Sequence, residues 1–438
     1  MRLPIALVIS SAVAAGLYAF FRYYDYYFAI SELAQAESAY KASGLPWTAD
    51  DLRPYPPVAV SENAAPDILA TIKLVPSRAF DYSKFTEDRI RQLRATNKHQ
   101  ELLNILDPFQ DSLDKMVVAV KKPRFDSNPD WDLGEDLVFR ELAHMRWFVK
   151  RLTFRAEANA GLGKHLEALR DLEAAWRLAH HIGQEPFTIF ITASSSSQAV
   201  VLDSILRCAS KSNFDQTSLT RLIEILLSRE EPNLIAALRG EIYMGLAVLR
   251  KEKGIDSFFP EINSDLVGSM DNWIDDRFPA RTRYAAIRVR YLQANAEIGH
   301  MLAKSNPDFN LLGRKSDEVI DRYEDRRGKS HRFVGFGFSI YTNGYLNSRS
   351  RRISTLSLLR NLQIKLETGK LSEAIDQIPG SWVDPFTSKP LKLVRKGNTI
   401  RIYSVGPDLK DEGGLAKSES KYSNDDIVMI YPPLPLKP

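Results

Sequence analysis

The sequence predicts a mainly α-helical protein, carried on an amino-terminal transmembrane helix and closed by a small α+β module with a three-stranded antiparallel sheet. Three observations predict it. Residues 3–21 form an uncharged apolar run bounded by Arg2 and Arg22. The middle of the chain repeats apolar residues at three- and four-residue steps, the helical period. Two β-type runs flank Lys396-Gly397-Asn398, and a third follows at Asp426–Tyr431. The expected organisation is a membrane anchor at 1–28, a helical stalk and proline-rich linker at 29–67, an α-helical domain at 68–350, the α+β module at 351–431 and a proline-rich tail at 432–438.

Composition narrows the class. The 438 residues are 44% hydrophobic and 26% charged, which excludes a wholly disordered chain. A net charge of +4, spread along the sequence, argues against a nucleic-acid partner. The single cysteine, Cys208, excludes an intramolecular disulfide and a multi-cysteine metal site. Lying among Ile205, Leu206 and Ala209, it reads as an inert core thiol.

Nineteen residues at 1.5 Å each reach about 28 Å, close to the hydrocarbon thickness of a bilayer. The aromatic cluster from Tyr18 to Phe28 suits the headgroup level. A cleaved signal peptide with Ala12-Val13-Ala14 at its cleavage site is the alternative; cleavage there would leave the apolar stretch Ala15–Phe21 at a new terminus, so the run is read as an uncleaved signal-anchor. Residues 29–42 read as a helix leaving the membrane. Pro46, Pro54, Pro56, Pro57 and Pro66 mark an extended spacer.

Helical periodicity returns over 87–122. Residues 136–180 form the clearest hairpin: Phe139, Leu142, Met145 and Phe148 recur on one face, Gly161-Leu162-Gly163 makes the turn, and Ala168 and Ala175 allow close approach of the second helix. Further helices are expected near 187–210, 215–229 (capped by Asp215), 231–251 and 281–304. The charged stretch 314–332 reads as a solvated face or loop. Residues 353–368 form a last helix stopped by Gly369, and Ser372 is expected to cap a short helix ended by Pro379. Strands are expected at Leu391–Arg395, Thr399–Val405 and Asp426–Tyr431.

No motif for an enzyme emerges. The seven histidines form no HExxH, and there is no Walker loop, no GxGxxG after a strand and no GxSxG. His180-His181 reads as structural at a helix end, where positive charge is favoured. Ser194–Ser197 reads as a polar patch or tight helix packing. An EF-hand starting at Asp408 fails, because Lys410 occupies a ligand position and a strand precedes the loop.

Two resemblances go further. The hairpin is similar to one tetratricopeptide-type repeat, with a turn glycine followed by alanines at fixed spacing, over about thirty-four residues. The carboxy-terminal order Asp384-Pro385-Phe386, Tyr403-Ser404-Val405-Gly406-Pro407-Asp408, Gly413-Gly414 and Asp425-Asp426-Ile427 resembles the globular domain of the type II secretion major pseudopilin over residues 353–431. It also resembles uncharacterised bacterial envelope proteins with one membrane anchor and a helical middle, whose post-anchor segment residues 44–66 are similar to. The pseudopilin resemblance implies calcium as a cofactor. By position its metal ligands would be Asp408, Asp426, the Val405 carbonyl and Asp425 as a substitute for Asp426, with Asp411 and Glu412 as further acids of a longer loop. The alternative is a solvated loop whose acids keep the sheet edge soluble. The whole implies an inner-membrane, single-pass envelope protein, anchored through residues 3–21, with its bulk on the non-cytoplasmic side and an unidentified protein partner. It would act as an interaction or scaffold module; the alternative is an envelope hydrolase whose site carries no recognisable motif.

Overall fold

The computed structural model describes residues 16, 20, 31–54, 56–76, 84–131, 139–211, 214–250, 281–304, 307–323, 337–396, 399–415 and 426–434. The expected span at 3–21, apart from Gly16 and Phe20 in helical backbone, and Asp425 lie outside these residues. The described helices are α1 (31–42), α2 (Ala65–Ile72), α3 (Lys84–Ala95), α4 (His99–Leu106), α5 (Gln110–Ala119), α6 (Arg140–Gly161), α7 (His165–Ile182), α8 (Thr188–Lys211), α9 (Gln216–Leu227), α10 (Leu234–Arg250), α11 (Arg281–Leu302), α12 (Phe309–Tyr323) and α13 (Phe338–Thr368). The strands are β1 (Lys392–Lys396), β2 (Thr399–Ser404) and β3 (Ile427–Tyr431). The protein is therefore mainly helical with one small sheet. Contacts group it into two units, one of residues 1–52, 130–137 and 238–339, the other of residues 53–129, 138–237 and 340–438.

In the first unit, α1 and the segment after it are docked rather than extended. Tyr40 is buried and donates to the Pro46 carbonyl (3.1 Å). The Trp47 ring lies under Arg250 (4.0 Å) and Lys41 (4.1 Å), and Arg250 also donates to the Trp47 carbonyl (2.7 Å). Arg239 donates to the Gly44 carbonyl, and Arg288 pairs with Glu37 at 2.6 Å. This corrects the expectation of a spacer for residues 43–52: proline removes regular structure, but side-chain anchors replace it. Tyr291 is buried with its hydroxyl on the Ile242 carbonyl, and its ring fills the space a Cβ on Gly245 would need. The stretch 314–332, expected as a solvated face or loop, begins as the charged outer face of α12, whose Leu312, Ser316, Val319 and Ile320 are buried beneath it.

The second unit is organised by α6, α7 and α8, which pack on one another. The turn between α6 and α7 is the expected glycine turn. Gly163 has φ +77°, Gly163 N–H donates to the Ala160 carbonyl (3.1 Å) and Lys164 N–H to the Asn159 carbonyl (2.8 Å), a Schellman closure. Ala168 and Ala175 are fully buried. Asp171, between them on that face, takes a bidentate bond from Arg155 of α6 (2.7 Å each). Against the other side of α6 sit α3 and α4, through Ile90, Leu93, Leu102, Leu106, Phe154 and Ala158. Above that cluster Arg94 grips Glu157 (2.7 and 3.0 Å), which also accepts from Ser204 (2.7 Å). The helical periodicity expected over 87–122 is carried by three helices, divided where Asn97 adopts φ +55° and where Pro108 opens a 3₁₀ turn at Asp107–Phe109.

By length and composition one described helix is apolar enough to cross a membrane, at Thr188–Ser210, with 61% of its apolar window buried inside the protein. Its polar residues bond inward: Ser194 donates to the Ala179 carbonyl (2.7 Å), and Gln198 accepts from Ser348 of α13 (3.1 Å). Cys208 is buried, as expected. Asp215 caps α9, accepting from Ser218 N–H at 2.8 Å. The last helix, expected from 353, starts at Phe338 and ends at Gly369, φ +78°. Its early turns, rich in Ser, Thr, Asn and Arg, hide the helical period. Ser372 caps no helix; its N–H donates to Asn361 (2.7 Å), and the helical turn is a 3₁₀ segment at Ile375–Gln377.

Candidate functional site at the carboxy-terminal sheet

The sheet runs β1-β2-β3, antiparallel throughout. Lys396 pairs with Thr399, leaving two residues between β1 and β2, and Ser404 pairs with Ile427. That register sets Val405, just past β2, beside Asp426, just before β3. The inner face is apolar, with Ile400, Ile402, Ile427 and Met429 buried.

Asp384 fixes the end of β2. It is buried, and its carboxylate accepts from Phe386 N–H (2.9 Å), Ser404 Oγ (2.8 Å) and Val405 N–H (3.2 Å). The Asp-Pro-Phe turn is thus a clamp between the start of the sheet and the loop after β2. The residues were legible as a signature; the role was not, because it depends on a partner twenty residues away.

Beyond the clamp the chain curls. Gly406, Leu409, Gly413 and Gly414 all have positive φ, between +62° and +76°. Gly414 is held on three sides: its N–H donates to Asp426 Oδ2 (2.8 Å), its carbonyl accepts from the buried Arg401 (2.9 Å), and a Cβ there would strike the Tyr403 ring. Asp411 is fully engaged, accepting from Lys392 (2.7 Å), the Tyr403 hydroxyl (3.0 Å) and Gly413 N–H (3.0 Å). The Lys392 ammonium in particular holds its carboxyl below the usual range.

The curl presses Glu412 against Asp426. Burial, then the neighbouring Asp426, and then Asp408 push the Glu412 carboxyl up to about 7. Burial likewise raises Asp426, against the opposing pull of the Gly414 N–H. Among the described residues no donor reaches Glu412 Oε2. Asp408 accepts from Lys410 N–H at 3.0 Å and keeps its other oxygen 4.0 Å from the Lys410 ammonium.

Of the sequence-derived ligands, Val405 and Asp426 stand together at the sheet end, Asp408 lies within Coulombic reach of Glu412, and Asp425 is outside the described residues. The acid brought directly to Asp426 is Glu412; only its place in the loop marked it in the sequence. No group of three or more His, Cys, Asp or Glu side chains placed to hold a metal ion occurs among the described residues. The Asp408, Glu412 and Asp426 carboxylates and the Val405 carbonyl offer oxygen, the donor type that calcium takes. No protein-family model, no curated protein and no solved structure matches the chain.

Proposed function

We propose that the protein is a membrane-anchored binding or scaffold component of the bacterial cell envelope. Its anchor is residues 3–21, its bulk faces away from the cytoplasm, its helical body carries a tetratricopeptide-like hairpin, and its carboxy-terminal module is a pseudopilin-like cap stabilised by calcium. One observation carries the reading: at the end of a three-stranded sheet, a glycine-rich curl sets the Glu412 and Asp426 carboxyls against each other, with Asp408 nearby. Two carboxylates at contact repel unless a proton or a cation stands between them. Calcium takes six to eight oxygens, mixing carboxylates and carbonyls. Asp408, Glu412, Asp426, the Val405 carbonyl and Asp425 make a donor set of that kind. When bound, the ion neutralises these acids and ties the loop to the sheet.

The test is a melting curve of the full chain in EDTA, in millimolar calcium and in millimolar magnesium. Calcium at a hundredfold excess over its dissociation constant stabilises the folded state by about 2.7 kcal/mol. A selective upward shift that Asp426→Asn removes supports the reading; identical curves in calcium and EDTA refute the metal. Topology is tested separately by alkaline phosphatase fused after Pro438, which is expected to be active. An inactive fusion beside an active cytoplasmic reporter refutes the orientation.

A further inference from the structure

A second site lies away from the sheet, between α9, α13 and the loop at 379–382. It is a cavity of about 420 Å³, within the range of small-molecule sites. Ile223 and Leu227 of α9 form one wall, Ile353 and Leu356 of α13 another, and the Trp382 ring closes the side. The charged groups on it are Arg349, Arg352, Arg360 and Glu231.

These charges are not equivalent. Arg352 is buried and fully engaged: it donates to the Leu226 carbonyl (3.0 Å), the Arg229 carbonyl (2.9 Å) and Glu231 (2.7 Å). The single acid is thereby neutralised. Arg360 uses one N–H on Gln363 (2.9 Å), and Arg349 makes no hydrogen bond or ion pair among the described residues. Two guanidinium groups therefore border an apolar cavity without a counter-charge.

The wall is built before any ligand arrives. Trp382 is pinned by its indole N–H on the Ile378 carbonyl (2.9 Å), and its own carbonyl accepts from Leu391 N–H (2.7 Å). Gly380, at φ +136°, lets the loop pass beneath the ring, and a Cβ there would strike it.

We infer that this cavity binds a small amphiphilic carboxylic acid, its apolar body between α9, α13 and Trp382 and its carboxylate on Arg349 and Arg360. Guanidinium groups match carboxylates with paired, charge-assisted bonds, so the fit is to an anion rather than to a neutral or cationic amphiphile. The inference is independent of the calcium reading.

The test uses the full chain and the photo-reactive probe 4-benzoylbenzoate, with labelled peptides mapped after irradiation. Saturable labelling within 223–231, 349–360 or 379–382 is expected, and the neutral analogue 4-benzoylbenzyl alcohol should label at least tenfold less. Arg349→Ala with Arg360→Ala, both at the cavity rim, should reduce labelling about tenfold, and Gly380→Ala should also reduce it. On the unaltered chain, 4-phenylbutyrate should compete at least tenfold better than 4-phenylbutanol. Labelling elsewhere, or equal competition by acid and alcohol, would overturn the inference.

Discussion

Asp171→Ala would leave the Arg155 guanidinium buried without its bidentate partner. Arg155 is 1% exposed and Asp171 0%, so neither group has water to fall back on. Removing one partner of a buried ion pair costs about 3–5 kcal/mol, because the remaining charge is uncompensated. The lower end applies here, since Arg155 keeps a 2.9 Å bond to Asp114, which is half exposed. A loss of about 3 kcal/mol is therefore expected. Asp114→Ala, at the solvated end of the same network, should cost under about 1 kcal/mol. The double variant Arg155→Met/Asp171→Leu removes both charges and should recover most of the loss. Urea unfolding followed by tryptophan fluorescence is the assay, because the buried Trp147 and Trp176 report on the two helices that the pair joins. An Asp171→Ala cost no larger than that of Asp114→Ala would refute the argument that burial sets the magnitude.

Three further outcomes are expected. Burial holds the His180 imidazole down to about 3 and the His181 imidazole down to about 4, with Arg352 and Arg229 near the first and Arg229 and Arg177 near the second. The unfolded chain takes up these protons near pH 6.5, so stability is full above that pH and falls toward the folded values, by up to ~1.4 kcal/mol per pH unit for each ring. Urea midpoints that do not move between pH 7 and pH 5 would contradict this. Gly245→Ala should lower the melting temperature, because overpacking against the fixed Tyr291 ring costs about 1–3 kcal/mol and exceeds the roughly 1 kcal/mol gain in helix propensity. An increase in melting temperature would show that the ring yields. Asp384→Ala should speed hydrogen exchange at the Val405 amide and destabilise the module by about 1–3 kcal/mol through buried donors left unmet; unchanged exchange would remove Asp384 as a clamp.

The legible parts of the fold are those with local causes. The turn at Gly161–Gly163, the Asp215 cap, the stop at Gly369 and the three strands follow from turn chemistry, capping and alternation, and the strand ends agree to within one residue. Where the cause is distant, local pattern fails. Residues 43–67 look like a spacer because no period runs through their five prolines, yet Arg250 reaches Trp47 from two hundred residues away. The helix α12 hides four inward residues among charges. His180 and His181 were legible as structural, but for a different reason: burial keeps them neutral, so the helix end gains no charge from them. In the acidic loop, composition points to Asp408 and Asp426, but only the positive φ angles at Leu409, Gly413 and Gly414 turn Glu412 onto Asp426.

The central claim is that these acids hold one calcium ion, and isothermal titration of the metal-stripped full chain with calcium tests it most directly. The account predicts one ion per chain, little heat with magnesium, and loss of binding in both Glu412→Gln and Asp426→Asn. No calcium-dependent heat, or binding that survives both substitutions, would contradict it.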